Sequence, residues 1–136
     1  MKIRILLLFA TLTVACVPAS LSEQSGPDKL AIVTLSESQN GSTIELSSGS
    51  KLVVRLPAQM GTGYVWAVVK QDEKVLRLAG KNIESNHNLP GGTDAQVFDF
   101  SPVSVGSAEV EFAYKQPWQR DQPPARTFRF HVVVRN

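Results

Sequence analysis

Few side chains in this sequence could attack a carbonyl or move a proton at neutral pH. There are two histidines, His87 and His131, and one cysteine, Cys16. A hydrolytic site needs a nucleophile, a base and a group that orients the base. His87 lies in a polar stretch, NIESNHNLPGG, and His131 falls on the polar side of an alternating run near the C-terminus. Both read as ordinary surface histidines, because a base must also face its nucleophile. A metal site asks for His, Cys or carboxylates clustered at ligand spacing. Asp72-Glu73 and Asp94 stand apart, and no ligand set is visible. The pattern argues against an enzyme, and it implies neither a metal nor a cofactor.

The chemistry that remains is that of contact. Three segments have unusual composition: Pro57 to Gly63 (PAQMGTG), Asn82 to Asp94 with Pro90-Gly91-Gly92 near its end, and Lys115 to Arg126 (KQPWQRDQPPAR). The first sets Thr62 between Gly61 and Gly63, with the adaptable side chain of Met60 before them and Tyr64 and Trp66 after. In the second, Gly91-Gly92 either lets the backbone approach a partner or makes a tight turn. In the third, Trp118 after Gln116 and Pro117 is either a lid folded on the core or a displayed anchor of the kind that dominates interface energies.

These segments need a scaffold, and from Leu30 onward the sequence supplies one of period two. Short β-rich runs cover residues 30–35, 43–46, 51–56, 64–69, 75–78, 95–100, 108–114 and 127–135, with turn residues between them. In the last two, Val110, Phe112 and Tyr114 alternate with Glu109, Glu111 and Ala113, and Phe128, Phe130, Val132 and Val134 alternate with Arg129, His131 and Arg135. A strand buried on one face and wet on the other must alternate this way. Seven to eight such strands without a sustained helical period predict an all-β fold, an immunoglobulin-like antiparallel β-sandwich. With one cysteine there is no intramolecular disulfide to brace it, so Trp66 is expected to pack with Phe98, Phe112 and Phe128. If the run 51–56 is strand B of such a sandwich, the three unusual segments are the B–C, D–E and F–G loops. They skip one connection each time, so all three emerge at one end. Loops held by a rigid scaffold are where function concentrates.

The N-terminus reads separately. Lys2 and Arg4 precede an apolar run, Ile5 to Leu12, and small residues follow to Ala15 and Cys16. This is a secretory signal pattern, too short to span a bilayer. Thr13-Val14-Ala15-Cys16 resembles a bacterial lipobox, with Thr13 where leucine is usual; ordinary cleavage after Ala15 or Ala19 is the alternative. The expected layout is a signal peptide over 1–15, a flexible Pro- and Ser-containing tether over 16–29, and a domain over 30–136. The protein is expected to be exported, as a periplasmic or cell-envelope lipoprotein attached to the membrane through Cys16, or otherwise secreted. With a net charge of +2 and acids and bases interspersed, nothing suggests a nucleic-acid surface. A monomer is expected.

At the three loops the sequence resembles the chagasin family (type I42), protein inhibitors of papain-like cysteine peptidases. The family's first loop runs roughly Asn-Pro-Thr-Thr-Gly-Tyr/Phe-x-Trp. Gln59-Met60-Gly61-Thr62-Gly63-Tyr64-Val65-Trp66 keeps the second Thr, the Gly, the aromatic and the Trp. Pro90-Gly91-Gly92-Thr93 ahead of Val97-Phe98 resembles the Gly-rich second loop. Tyr114-Lys115-Gln116-Pro117-Trp118 resembles the third, with Gln116 in place of the family's Arg. The resemblance implies an immunoglobulin-like sandwich whose first loop enters the peptidase cleft, with Thr62 near the catalytic Cys–His pair, while the other two loops clasp the cleft. The implied contact residues are Met60, Gly61, Thr62, Gly63, Tyr64, Pro90, Gly91, Gly92, Gln116, Pro117 and Trp118. Gly61 and Met60 replace stiffening residues and Gln116 lacks an arginine's charge-assisted bonds, so a more mobile first loop and weaker inhibition are expected. The alternative is an immunoglobulin-like envelope or adhesion module with no peptidase target.

Overall fold

The computed structural model describes residues 31–85 and 94–136. The leader, Cys16, the tether, His87, Pro90, Gly91 and Gly92 lie outside the described residues. Within them the chain forms eight strands: β1 Ile32–Leu35, β2 Thr43–Ser47, β3 Lys51–Ala58, β4 Val65–Lys70, β5 Leu76–Glu84, β6 Asp94–Pro102, β7 Gly106–Lys115 and β8 Arg126–Arg135. They make two four-stranded sheets, ordered β1-β3-β6-β5 and β2-β8-β7-β4.

Alternation decides what is buried. Leu52, Val54, Leu56 and Ala58 of β3 and Phe128, Phe130, Val132 and Val134 of β8 turn inward and are at most 1 % exposed. Their neighbours in sequence face water, as the period-two pattern requires. At the centre, Phe112 of β7 meets Phe98 at 4.9 Å, Phe128 at 5.9 Å, Phe100 at 6.1 Å and Phe130 at 6.4 Å between ring centroids. These are the edge-to-face and offset separations aromatic pairs prefer, and they fill the space that a disulfide occupies in other sandwiches of this shape.

The sandwich is not antiparallel throughout. β1 runs parallel to β3, with Ile32 opposite Lys51, and β2 runs parallel to β8, with Thr43 opposite His131. Parallel neighbours need a crossover between them. Here β2 itself is the crossover: after the 3-10 turn Glu37–Gln39 the chain passes to the other sheet, descends as β2, and returns as β3 beside β1. β5 also runs further than its short apolar stretch predicts, because Asn82–Glu84 pair with Val97, Gln96 and Ala95. Register shifts interrupt β4 between Val68 and Lys70 and β5 between Leu78 and Gly80. Both are edge strands, where such irregularities discourage pairing with other chains.

Strand directions sort the connections into two poles. β3, β5 and β7 end at one pole, and β4, β6 and β8 leave from it. The first and third unusual segments and the stems of the second therefore share that pole. Ala58 lies opposite Asp94, and Glu84 opposite Ala95, so the stems of the second loop stand beside the first. β1 starts opposite Lys51, so the described chain begins at the other pole.

Candidate functional site

The first loop is a turn, not a bare strand lead-in. Met60–Thr62 form a 3-10 turn closed by Gly63, whose φ of 80° and ψ of −4° put it in the left-handed region that favours glycine. Thr62 N–H donates to Gln59 O at 3.1 Å and Gly63 N–H to Met60 O at 3.2 Å. The Thr62 hydroxyl donates to Gln59 O at 2.6 Å and accepts from Tyr64 N–H at 3.4 Å. The threonine between two glycines thus spends its hydroxyl on the turn itself. Gly61 is exposed, and a Cβ added there would meet nothing within 4 Å. Met60 is half-buried and packs against the core, so it serves as the inner support of the turn.

Five strands root this turn. Tyr114, near the end of β7, accepts at its hydroxyl from Gln59 N–H at 3.1 Å. The Tyr114 ring lies 5.4 Å from Tyr64 and 4.9 Å from Trp66. The Trp66 indole N–H donates to Pro57 O at 2.9 Å. Gln96 of β6 reaches across the sandwich: its Oε1 accepts from Trp66 N–H at 2.6 Å and its Nε2 donates to Trp66 O at 3.3 Å. A side-chain amide thereby replaces the neighbouring strand that edge strand β4 lacks at this point. Arg126 of β8 sets its guanidinium 5.3 Å from the Trp66 ring centre and 5.0 Å from that of Tyr114, and pairs with Glu37 at 3.0 Å. Trp66 is buried in one core cluster with the expected partners Phe98, Phe112 and Phe128, and its own ring contacts are with Tyr114 and Arg126. The reason is height along the strand. Trp66 pairs with Tyr114, at the loop end, and Phe112 lies one inward position deeper.

The third loop leans on the first. Gln116 Nε2 donates to the backbone O of Thr62 at 3.0 Å. Trp118 is displayed rather than folded in as a lid: it is 66 % exposed, and its six-membered ring lies so close to Gly63 that a Cβ there would overlap it. Pro117 is exposed beside it. Of the contact residues implied by the resemblance, Met60, Gly61, Thr62, Gly63, Tyr64, Gln116, Pro117 and Trp118 are thus brought to one pole. At the stem of the second loop Arg55 pairs with Glu84, and that hydrogen bond holds the guanidinium pKa above its ordinary value. Sequence reading missed Tyr114's hydroxyl, Gln96 and Arg126 as root residues. The signal for Tyr114 was its place at the end of a strand entering an unusual loop; Gln96 and Arg126 left none, since their partners depend on register across the sandwich.

His131 is exposed on the outer face of β8, and among the described residues no three metal-ligating side chains come together. What the arrangement offers is a slim, internally bonded tip flanked by an exposed tryptophan.

Residues 45–132 match the sequence profile of the chagasin family of peptidase inhibitors, I42. The chain belongs to that family. It is similar to amoebiasin-2 of Entamoeba histolytica, 23 % identical over 108 residues that cover 77 % of this chain and 87 % of the relative. Among solved structures it resembles the Entamoeba histolytica cysteine protease inhibitor EhICP2, with a TM-score of 0.73 and 23 % identity over 80 % of this chain and all of that one. It also resembles PbICP-C, solved in complex with falcipain-2, with a TM-score of 0.54 and 18 % identity over 78 % of this chain and 91 % of that one. These likenesses show a shared immunoglobulin-like sandwich. As a member of the chagasin family the chain is a peptidase inhibitor and not an enzyme.

Proposed function

We propose that the chain is a reversible inhibitor of papain-like cysteine peptidases, which closes the active-site cleft with the three loops of one pole. The observation that carries this is the first loop: a turn with a narrow, glycine-flanked tip, held by its own hydrogen bonds and by five strands beneath it. A cleft that cleaves extended peptides needs a carbonyl aligned with its thiolate. A 3-10 turn presents none in that geometry, so it fills the cleft without being cut. Rigid loops lose little freedom on docking, and a standard interface of about 1,600 Å² takes more than one loop to build. The cysteine class of target is supported by the relative described as a cysteine protease inhibitor and by the one solved with falcipain-2.

The contact residues on this reading are Met60, Gly61, Thr62, Gly63, Tyr64, Gln116, Pro117 and Trp118, together with Pro90, Gly91 and Gly92 of the second loop. Inhibition constants against papain and its relatives test it. Thr62→Arg, which puts a long side chain on the tip, is expected to raise Ki on the order of 100-fold (about 2.7 kcal/mol). Trp118→Ala, which removes the exposed anchor, is expected to raise it about 10-fold. Trp118→Ala should keep the wild-type melting curve, and Thr62→Arg, which loses the hydroxyl's bonds within the turn, should cost no more than about 0.5–1.5 kcal/mol of stability. An unaltered domain with no effect on papain-like enzymes at micromolar concentration would sink the proposal.

The same reading includes export. Residues 1–15 act as the signal peptide, and Cys16 is the lipidated N-terminus of a monomeric cell-envelope protein. The lipobox-like Thr13-Val14-Ala15-Cys16 supports this, and so does the topology. The described chain starts at the pole opposite the loops, about 30 Å away by the length of β7, so attachment through residues 16–30 would leave the loops facing outward. Mass spectrometry of the membrane fraction should find a diacylated or triacylated Cys16; a mature chain starting at an unmodified Cys16 or at Ser20 would refute it.

A further inference from the structure

In the family pattern an arginine stands where this chain has Gln116. An arginine at that place carries a charge that can be offered to a partner. Gln116 carries none, and its side-chain amide is already engaged, donating to Thr62 O at 3.0 Å. Two residues later the edge of the Trp118 ring abuts Gly63. The two contacts run in step: 116 of the third loop to 62 of the first, and 118 to 63. Gly63 must be glycine on two counts, its φ of 80° and the ring against it. The turn is therefore held from below by Tyr114 and from the side by the third loop.

We infer that Gln116 is a positioning residue, which fastens the third loop to the first so that both enter a peptidase cleft as one preformed body. The chain uses position 116 to hold its own tip in place rather than to present a charge. This rests on the inhibitor reading and deepens it by saying where part of the affinity arises. Two loops that move separately must both be ordered on docking, and that cost is subtracted from the binding free energy. If only a fraction of molecules has the loops assembled, apparent affinity falls by that fraction. Fastening them beforehand removes both losses. One neutral hydrogen bond is modest by itself, but here it also keeps a large ring seated on a glycine.

Two variants of the domain test this, Gln116→Ala and Gln116→Glu. The second keeps the length but has no donor, and it faces the Thr62 carbonyl with a carboxylate. In the free domain, NMR reads the seat of Trp118 directly, because the ring current at the edge of the indole moves the Gly63 α-proton that faces it downfield. Both variants should return that resonance toward its ordinary value and leave the core spectrum unchanged. Against papain both should raise Ki about five-fold (about 1 kcal/mol), with most of the loss in the association rate, since fewer molecules present the assembled tip. Loss of a direct contact would appear in the dissociation rate instead. Gly63 resonances unmoved by either substitution, or a loss confined to dissociation, would overturn the inference while leaving the inhibitor reading intact. A wild-type domain that inhibits no papain-like peptidase fails the inhibitor reading, and the positioning role falls with it.

Discussion

Phe112 and Tyr114 sit two residues apart on the same inward face of β7, and they belong to different regions of the molecule. Around Phe112 every paired aromatic ring is another phenylalanine, and its side chain is fully buried. Around Tyr114 the aromatics are tied by polar bonds: its own hydroxyl to Gln59, the Trp66 indole to Pro57, and Gln96 clasping the Trp66 backbone. The centre of the sandwich is held by area and shape, which are non-directional. The root beneath the loops is held by directed bonds, which specify where each loop leaves. One region makes the domain stable, and the other makes its functional pole precise.

The sharpest way to separate the two is to empty the centre. Phe112→Ala removes the ring shared by four others and should cost about 3–5 kcal/mol. That is a large share of the roughly 5–15 kcal/mol that holds a domain of this kind. Urea unfolding would read it. Inhibition measured per folded molecule should stay within a factor of two or so of wild type, because the root does not rest on that ring alone. A Ki that rises in step with the lost stability would mean that centre and root are one unit.

A smaller effect is expected where the comparison meets the tip. Gly63→Ala places a Cβ in the left-handed region, at about 1–2 kcal/mol, and pushes against Trp118. The melting temperature should fall by a few degrees, roughly as that cost implies for a domain of this size. The Ki should rise about ten-fold, since the turn and the seat of the tryptophan move together. A variant that melts early yet inhibits normally would show that the tip tolerates rearrangement.

The two regions were also unequally legible. The centre announces itself, because burial on one face forces period two, and Phe128, Phe130, Val132 and Val134 could be placed inward from their spacing. The same logic failed at β5 beyond Leu78, where Lys81 to Glu84 are all exposed and pairing leaves no hydrophobic trace. It could not foresee the parallel pairings of β1 and β2, which follow from a change of sheet within a short turn. At the loop pole the segments and their shared end could be read from strand counting. The Gln116–Thr62 bond and the Gln96 clasp could not, because each joins residues more than 25 apart, whose meeting depends on register and on the shape of two turns. Trp66 is buried in the core, as the immunoglobulin-like pattern predicts, and its height on β4 sets it at the loop end of that core, in the root.

Tyr114→Phe tests the root alone. The ring stays, so packing on Tyr64, Trp66 and Arg126 is kept, and only the acceptor for Gln59 N–H goes. Gln59 is exposed, and water can replace the hydroxyl, so the stability loss should lie near the low end of about 0.5–1.5 kcal/mol. Ki should still rise two- to five-fold or thereabouts, by the corresponding few tenths to 1 kcal/mol, because Gln59 is the residue on which the 3-10 turn closes. Equal losses in stability and affinity would be consistent with simple weakening. An affinity loss larger than the stability loss is what a positioning bond should produce.

The smallest and most discriminating change is Gly61→Ala. Nothing lies within 4 Å of the added methyl, and the backbone there is not in the left-handed region. The fold has no need of a glycine at this place. Alanine should stabilise the domain by about 0.4–1 kcal/mol, by restricting the unfolded chain. If the domain alone sets the sequence of the tip, that gain carries over and Ki is unchanged or slightly lower. If the cleft sets it, the methyl meets the peptidase wall, and Ki rises while the melting temperature also rises. Opposite signs in the two measurements would assign Gly61 to clearance in the target, just as the strain at Gly63 assigns that glycine to the turn.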